Sequence, residues 1–186
     1  MMFAGHDIIH AVQFVEKEHR PQFRKYSGEP YLVHLLSVAK MVSCAVFEKE
    51  LEDMREKMII AALLHDVVED TPILIDEVYG WFGSDVGRFV AELTDPPLSA
   101  GNRAKRKEIT RERLKTASNA AKVIKCADII DNMHSIVACD PDFSKVFLKE
   151  VGYLIPLLET PRSSLHKELI EKHAAFMSKG TPTLQL

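Results

Sequence analysis

No stretch of the sequence is apolar for long enough to cross a membrane: the longest runs, around Met58–Leu64 and Val137–Cys139, fall far short of the roughly 18 residues a span needs. The amino terminus, Met1-Met2-Phe3-Ala4-Gly5-His6-Asp7, lacks the basic-then-apolar order of a secretory signal, so secretion is not expected. Cysteine is scarce. Cys44, Cys126 and Cys139 are odd in number and widely spaced, which fits neither a disulfide framework nor a cysteine-based zinc site and implies a reduced, cytoplasmic setting. Repeats and low-complexity stretches are absent, and only the tail after Gly180 reads as loose. An excess of positive charge is missing too: the net charge is −3, which gives no general attraction to nucleic acid. An anionic ligand therefore needs a local cationic patch. Membrane and nucleic acid are set aside as partners, and the oligomeric state stays open.

What the sequence does contain is helical periodicity. Apolar residues recur at three- and four-residue spacing almost throughout, whereas alternation of period two is rare. The expectation is an all-α fold of about eight to ten helices, with residues 1–180 as one compact domain and 181–186 as tail. Helices are predicted at 5–19, 32–47, 54–70, 74–80, 84–93, 103–117, 119–138, 143–157 and 162–178. The breaks fall at Ser27-Gly28-Glu29-Pro30, Thr71-Pro72, Asp95-Pro96-Pro97, Asp140-Pro141 and Thr160-Pro161.

The most informative segment is Lys57-Met58-Ile59-Ile60-Ala61-Ala62-Leu63-Leu64-His65-Asp66-Val67-Val68-Glu69-Asp70-Thr71-Pro72. With about 100° per residue and His65 as origin, Glu69 falls at about 40°, Asp66 at about 100° and Asp70 at about 140°. One face thus carries an imidazole and three carboxylates while the other is apolar. A solvated acidic helix end would look similar. Against it, Pro72 ends the helix near Asp70, which leaves Glu69 and Asp70 at the negative end of the macrodipole at a cost of roughly 0.3–1 kcal/mol each. A bound cation would remove that cost. The preceding run is apolar nearly all round, so the polar face must open into a cleft. His6-Asp7 repeats the dipeptide at the terminus without this context and reads as a surface turn.

An adjacent His and Asp leave a metal under-coordinated, so other helices must contribute. His10, His19, His166 and His173 lie among Glu, Lys and Arg and read as surface residues. His34 is the one polar group in Leu32-Val33-His34-Leu35-Leu36, either a satisfied core histidine or a ligand. Asp128 sits in a buried-looking helix and needs a partner, either a structural Lys or Arg or the same metal. Asn132 lies one turn beyond Asp128 and faces the same cleft. Two imidazoles and two carboxylates with open positions suit a borderline-to-hard divalent ion such as Mn²⁺, one per chain. Such an ion acidifies water for attack at neutral pH and polarises a phosphoryl oxygen. Glu69 or Asp70 could then relay the proton.

These residues resemble the HD-domain phosphohydrolases of the Rel/Spo type, which remove the 3′-pyrophosphate from guanosine tetra- and pentaphosphate in the stringent response. The likeness runs in order over most of residues 10 to 135: His19-x-x-Gln22-x-Arg24-Lys25, Ser27-Gly28-Glu29-Pro30-Tyr31-x-x-His34, Ala61 through Thr71, Phe82-Gly83, Thr94-Asp95, and Lys125-x-Ala127-Asp128 with Asn132. The resemblance implies His34, His65, Asp66 and Asp128 as Mn²⁺ ligands and Glu69 with Asp70 as the catalytic pair. It also implies Arg24, Lys25 and Ser27 as nucleotide contacts, with Asn132 on the ribose or phosphates. Leu35 stands where the family usually has proline, a change expected to affect only the start of the helix. The segment from Asp128 to Phe143 looks like the small stand-alone bacterial members, so the chain is expected to degrade its nucleotide and not to make it.

Between Arg103 and Lys115 seven basic residues face only Glu108 and Glu112, more than pairing along one helix absorbs. The segment is a solvated face, or else Arg103, Lys105, Arg106 and Lys107 supply cations for a polyphosphate beside an acidic metal site. Rival readings are a phosphatase acting on another nucleotide such as NADPH, a non-catalytic nucleotide sensor, and a purely structural helical module.

Overall fold

A computed structural model describes residues 6–160 and 163–178. The tail expected to be loose lies outside the described residues, as does the first residue of each terminal predicted helix. The described residues are helical apart from turns and one isolated antiparallel bridge, Phe23 to Pro30. In order the helices are α1 His6–Glu18, α2 Leu32–Cys44, α3 Lys49–Glu52, α4 Arg55–Leu64, α5 Val67–Asp70, α6 Ile75–Phe82, α7 Ser84–Leu93, α8 Arg103–Thr116, α9 Asn119–Cys139, α10 Pro141–Leu154 and α11 Ser164–Ser178. Short 3-10 turns cover Leu98–Ala100 and Ile155–Leu157.

The caps follow local chemistry. Ser118 accepts the Ala121 N–H to start α9, Asn102 accepts the Lys105 N–H to start α8, and Asp140 accepts the Phe143 N–H to start α10. Pro141, read from sequence as part of a break, is the first residue of α10, where its missing N–H costs nothing. Gly83, at φ 85°, lets α6 turn directly into α7.

α9 is the central element. It packs against α2, α4, α7, α10 and α11, while α4 is enclosed by α1, α2, α7 and α9. That enclosure explains why α4 is apolar nearly all round, with Met58, Ile60, Ala61, Ala62, Leu63 and Leu64 all buried. One cluster of buried apolar side chains runs from Ala11 to Leu169.

Two expectations need correction. The helix predicted over 54–70 is broken at His65 and Asp66: α4 ends at Leu64, and α5 is a single turn that restarts at Val67. Asp66 has φ −100° and ψ −2°, a helix-like turn conformation that periodicity does not distinguish from helix. A one-turn helix has almost no dipole, so Glu69 and Asp70 bear little of the cost expected at a helix end. His19, expected at the surface, is 2% exposed and stacks on Tyr31, their ring centroids 5.3 Å apart.

Candidate metal centre

The break between α4 and α5 aims consecutive side chains at one point. His65, at the end of α4, is held by its Nδ1–H on the Ala62 carbonyl at 2.8 Å. His34 enters from the first turn of α2, and its Nδ1 meets the Asp131 carboxylate of α9 at 2.7 Å. With each Nδ1 so engaged, the two Nε2 atoms face the same space. Both are buried, and neither has a hydrogen-bond partner among the described residues. Around them lie Asp66 Oδ2, 3.6 Å from His34 and 3.1 Å from His65, and Asp128 Oδ1, 3.5 and 3.7 Å away.

Buried nitrogens without partners are costly and rare, and a histidine tied through its other nitrogen to a carboxylate or carbonyl is arranged as metal-binding histidines are. The tightest grouping is His34, His65 and Asp66, whose donor atoms lie within 4.8 Å of one another. Two nitrogens and two carboxylates in this space fit a divalent cation. Without one, the aspartates draw protons instead. Burial pulls His34 down, but its contacts with Asp128, Asp131 and Asp66 outweigh that and hold it up at about 11; His65 is likewise raised, to about 9.

Further side chains hold these four in place, and of them the helical spacing singles out Asn132. The Tyr31 hydroxyl donates to Asp66 Oδ2 at 2.5 Å. Lys125, one turn before Asp128 on α9, donates to Asp128 Oδ2 at 2.9 Å, and Asn132, one turn after, donates to Oδ1 at 2.6 Å. Of the two alternatives weighed for Asp128, the structural lysine is present as Lys125, while the other carboxylate oxygen lies 3.5 and 3.7 Å from the two imidazoles. Asp131 bridges His34 and Arg24, which it meets at 2.8 Å. Its one sequence signal is the spacing of Asp128, Asp131, Asn132 and Ser135 along one face of α9.

Glu69 and Asp70 stand at the rim. Glu69, although exposed at its surface, accepts the Asp95 N–H and is pushed up to about 7, by partial desolvation where it packs and by the negative charge of Asp66. Asp70 is raised for the same two reasons. These causes, and not a macrodipole, set their acidity.

Of the other predicted contacts, Arg24, Lys25 and Asn132 line a cleft together with Tyr26, Tyr31 and Ser135. Arg103, Lys107 and Asn132 line a second cleft beside Lys125 and Asp128. Ser27 lies apart, exposed, with its hydroxyl accepting the Glu29 N–H in a turn. The α8 cations divide: Arg103 pairs with Glu150 at 2.6 Å and Lys107 with Asp95 at 2.8 Å outside that helix, while Lys105 pairs with Glu108 and Lys115 with Glu112 within it.

Against known proteins, a family model described as HD domain matches residues 11–153. A human protein named guanosine-3′,5′-bis(diphosphate) 3′-pyrophosphohydrolase MESH1 is 35% identical over 136 residues, which covers 73% of this chain and 72% of its own length. A solved structure described as a metazoan ortholog of SpoT that hydrolyzes ppGpp has a TM-score of 0.79 at 26% identity, covering 97% of this chain and 99% of that one. A structure from Listeria monocytogenes EGD-e, lmo0812, shares the fold, with a TM-score of 0.62 at 24% identity over 83% of this chain and 98% of that one.

Proposed function

Because this chain belongs to the HD domain family, we propose that it is a metal-dependent phosphohydrolase that removes the 3′-diphosphate of guanosine 3′,5′-bis(diphosphate), with one Mn²⁺ held by His34, His65, Asp66 and Asp128. The observation that carries this reading is the pair of buried, unbonded imidazole nitrogens pointing at two aspartates. The substrate comes from the relatives, named for this reaction, and from the cationic clefts on either side of the centre. Residues 1–180 form the catalytic domain in this reading, supported by the continuous core from Ala11 to Leu169. A cytoplasmic setting is supported by three unpaired cysteines and by the lack of a membrane-length apolar helix among the described residues.

When bound, the ion supplies Lewis-acid activation of the reacting phosphoryl group and of water. The chain's own residues do the rest. Glu69, with Asp70 beside it, accepts a proton from the attacking water and returns one to the departing 3′-oxygen. The oxygen of water forms a bond to phosphorus, the bond from phosphorus to O3′ breaks, and the products are a 3′-hydroxyl nucleotide and pyrophosphate. Arg24 and Lys25 on one side and Arg103 and Lys107 on the other hold the substrate's phosphates in register. Asn132, which lines both clefts and bonds Asp128, orients the ribose against the centre.

Purified protein supplied with Mn²⁺ should convert guanosine 3′,5′-bis(diphosphate) to GDP and pyrophosphate. If that nucleotide is left intact while NADPH loses a single phosphate, the substrate assignment falls and the rival phosphatase reading replaces it.

A further inference from the structure

We propose that a cavity lined by Glu69 and Asp70 is an anion subsite, with Arg106 as its cation, that receives the distal phosphate of a diphosphate ester. The inference rests on the hydrolase reading above and adds to it the feature that separates a diphosphate from a monophosphate.

The cavity has a volume of about 550 Å³ and is walled by Glu69, Asp70, Thr94, Asp95, Pro97 and Arg106 among others. It is separate from the clefts that contain Arg24 or Lys107. Arg106 stands out among its neighbours on α8. Arg103, Lys105 and Lys107 each have a carboxylate partner, at 2.6, 2.8 and 2.8 Å, whereas the Arg106 guanidinium has no acceptor among the described residues and its Nε is buried. A buried guanidinium nitrogen without an acceptor is a standing cost, and a ligand oxygen removes it.

The walls offer little else to an anion. Pro96 and Pro97 have no N–H, the Asp95 N–H is engaged by Glu69, and both the N–H and the hydroxyl of Thr94 are engaged by the Val90 carbonyl. Glu69, Asp70 and Asp95 line the cavity with negative charge, so anion binding there depends on Arg106. Glu69 and Asp70, which line this cavity, follow Asp66 of the imidazole–aspartate centre by about one helical turn. A second phosphate, linked to one held at the centre, extends into the cavity and meets a planar donor fork suited to two of its oxygens.

The test uses the whole Mn²⁺-loaded protein with Arg106→Gln and Arg106→Lys. The first readout is the ratio of kcat/KM on guanosine 3′,5′-bis(diphosphate) to that on guanosine 5′-diphosphate 3′-monophosphate. The second is calorimetric affinity for inorganic pyrophosphate against orthophosphate. Arg106→Gln should lower both ratios by about tenfold or more, the size of a lost charge-assisted contact, and Arg106→Lys should restore part of the loss. Equal losses on both members of each pair, or no loss in pyrophosphate affinity, would overturn the subsite. If the wild-type protein cleaves neither nucleotide, the functional reading fails, and the pyrophosphate titration still decides the subsite alone.

Discussion

Glu69 sits among charges that pull in opposite directions. Burial and the nearby carboxylates of Asp66 and Asp95 favour its neutral form, while the Asp95 N–H and the Lys125 ammonium favour the ionised one; the balance holds it at about 7. A proton acceptor works only when ionised, so kcat/KM should rise with pH and level off. A cation held at Asp66 cancels part of the repulsion, which places the inflection of the loaded enzyme below about 7. Glu69→Gln should slow the reaction by about 10²–10⁴-fold, and the residual rate should lack that acidic limb. A pH–rate profile from 5 to 8 on both proteins checks this, and persistence of the limb in the variant would move the role to Asp70. Sequence alone identified Glu69 as polar and one turn beyond His65. The Asp95 and Lys125 contacts that tune it come from residues distant in the chain, and no local pattern encodes such pairs.

Among the elements, the seam between α2 and α4 carries the centre, and one side chain closes it. Arg55, the first residue of α4, donates to the carbonyls of Val42, Ser43 and Ala45 at 3.2, 2.6 and 2.8 Å, which completes the carbonyls at the carboxyl end of α2. Arg55→Ala leaves the partly buried Ala45 carbonyl without this donor and should lower stability by about 1–3 kcal/mol, read as the shift in urea midpoint. The rate per folded molecule should stay the same, because Arg55 touches none of the centre. A matching fall in metal affinity would show instead that the seam sets the spacing of His34 and His65. The same elements show what periodicity can and cannot deliver. α7 was predicted at its observed bounds, and α9 within a residue at its end, because each has a clear cap or a continuous apolar stripe. The four-residue α3 was missed, being too short for a stripe to show. The break at His65–Asp66 was also missed, since both residues keep right-handed helical dihedrals and only contacts from Tyr31 and Ala62 show why the chain turns there.

For the whole molecule, the centre is a concentration of negative charge built from α2, the α4–α5 turn and α9, and the fold bears its cost. Without a metal, the two imidazoles serve as counter-ions. His65 is raised to about 9 and His34 to about 11, so the stability they add is fully present below their ordinary value near 6.5 and is lost as pH climbs through those raised values. A metal competes with these protons for the same nitrogens, so its affinity should increase with pH over 6.5 to 8. Binding to the folded chain alone adds about 4 kcal/mol when free metal is a thousandfold above Kd. At about 2–4 °C per kcal/mol for a chain of this size, that is a rise in Tm of about 8–16 °C. Mn²⁺ titrated into chelator-stripped protein should give this shift, larger at pH 8 than at pH 6.5, and Asp66→Ala should abolish it together with activity. The polar groups would belong to a structural module, and not to a metal centre, if the stripped protein melted at the same temperature with and without Mn²⁺ while Asp66→Ala simply melted earlier.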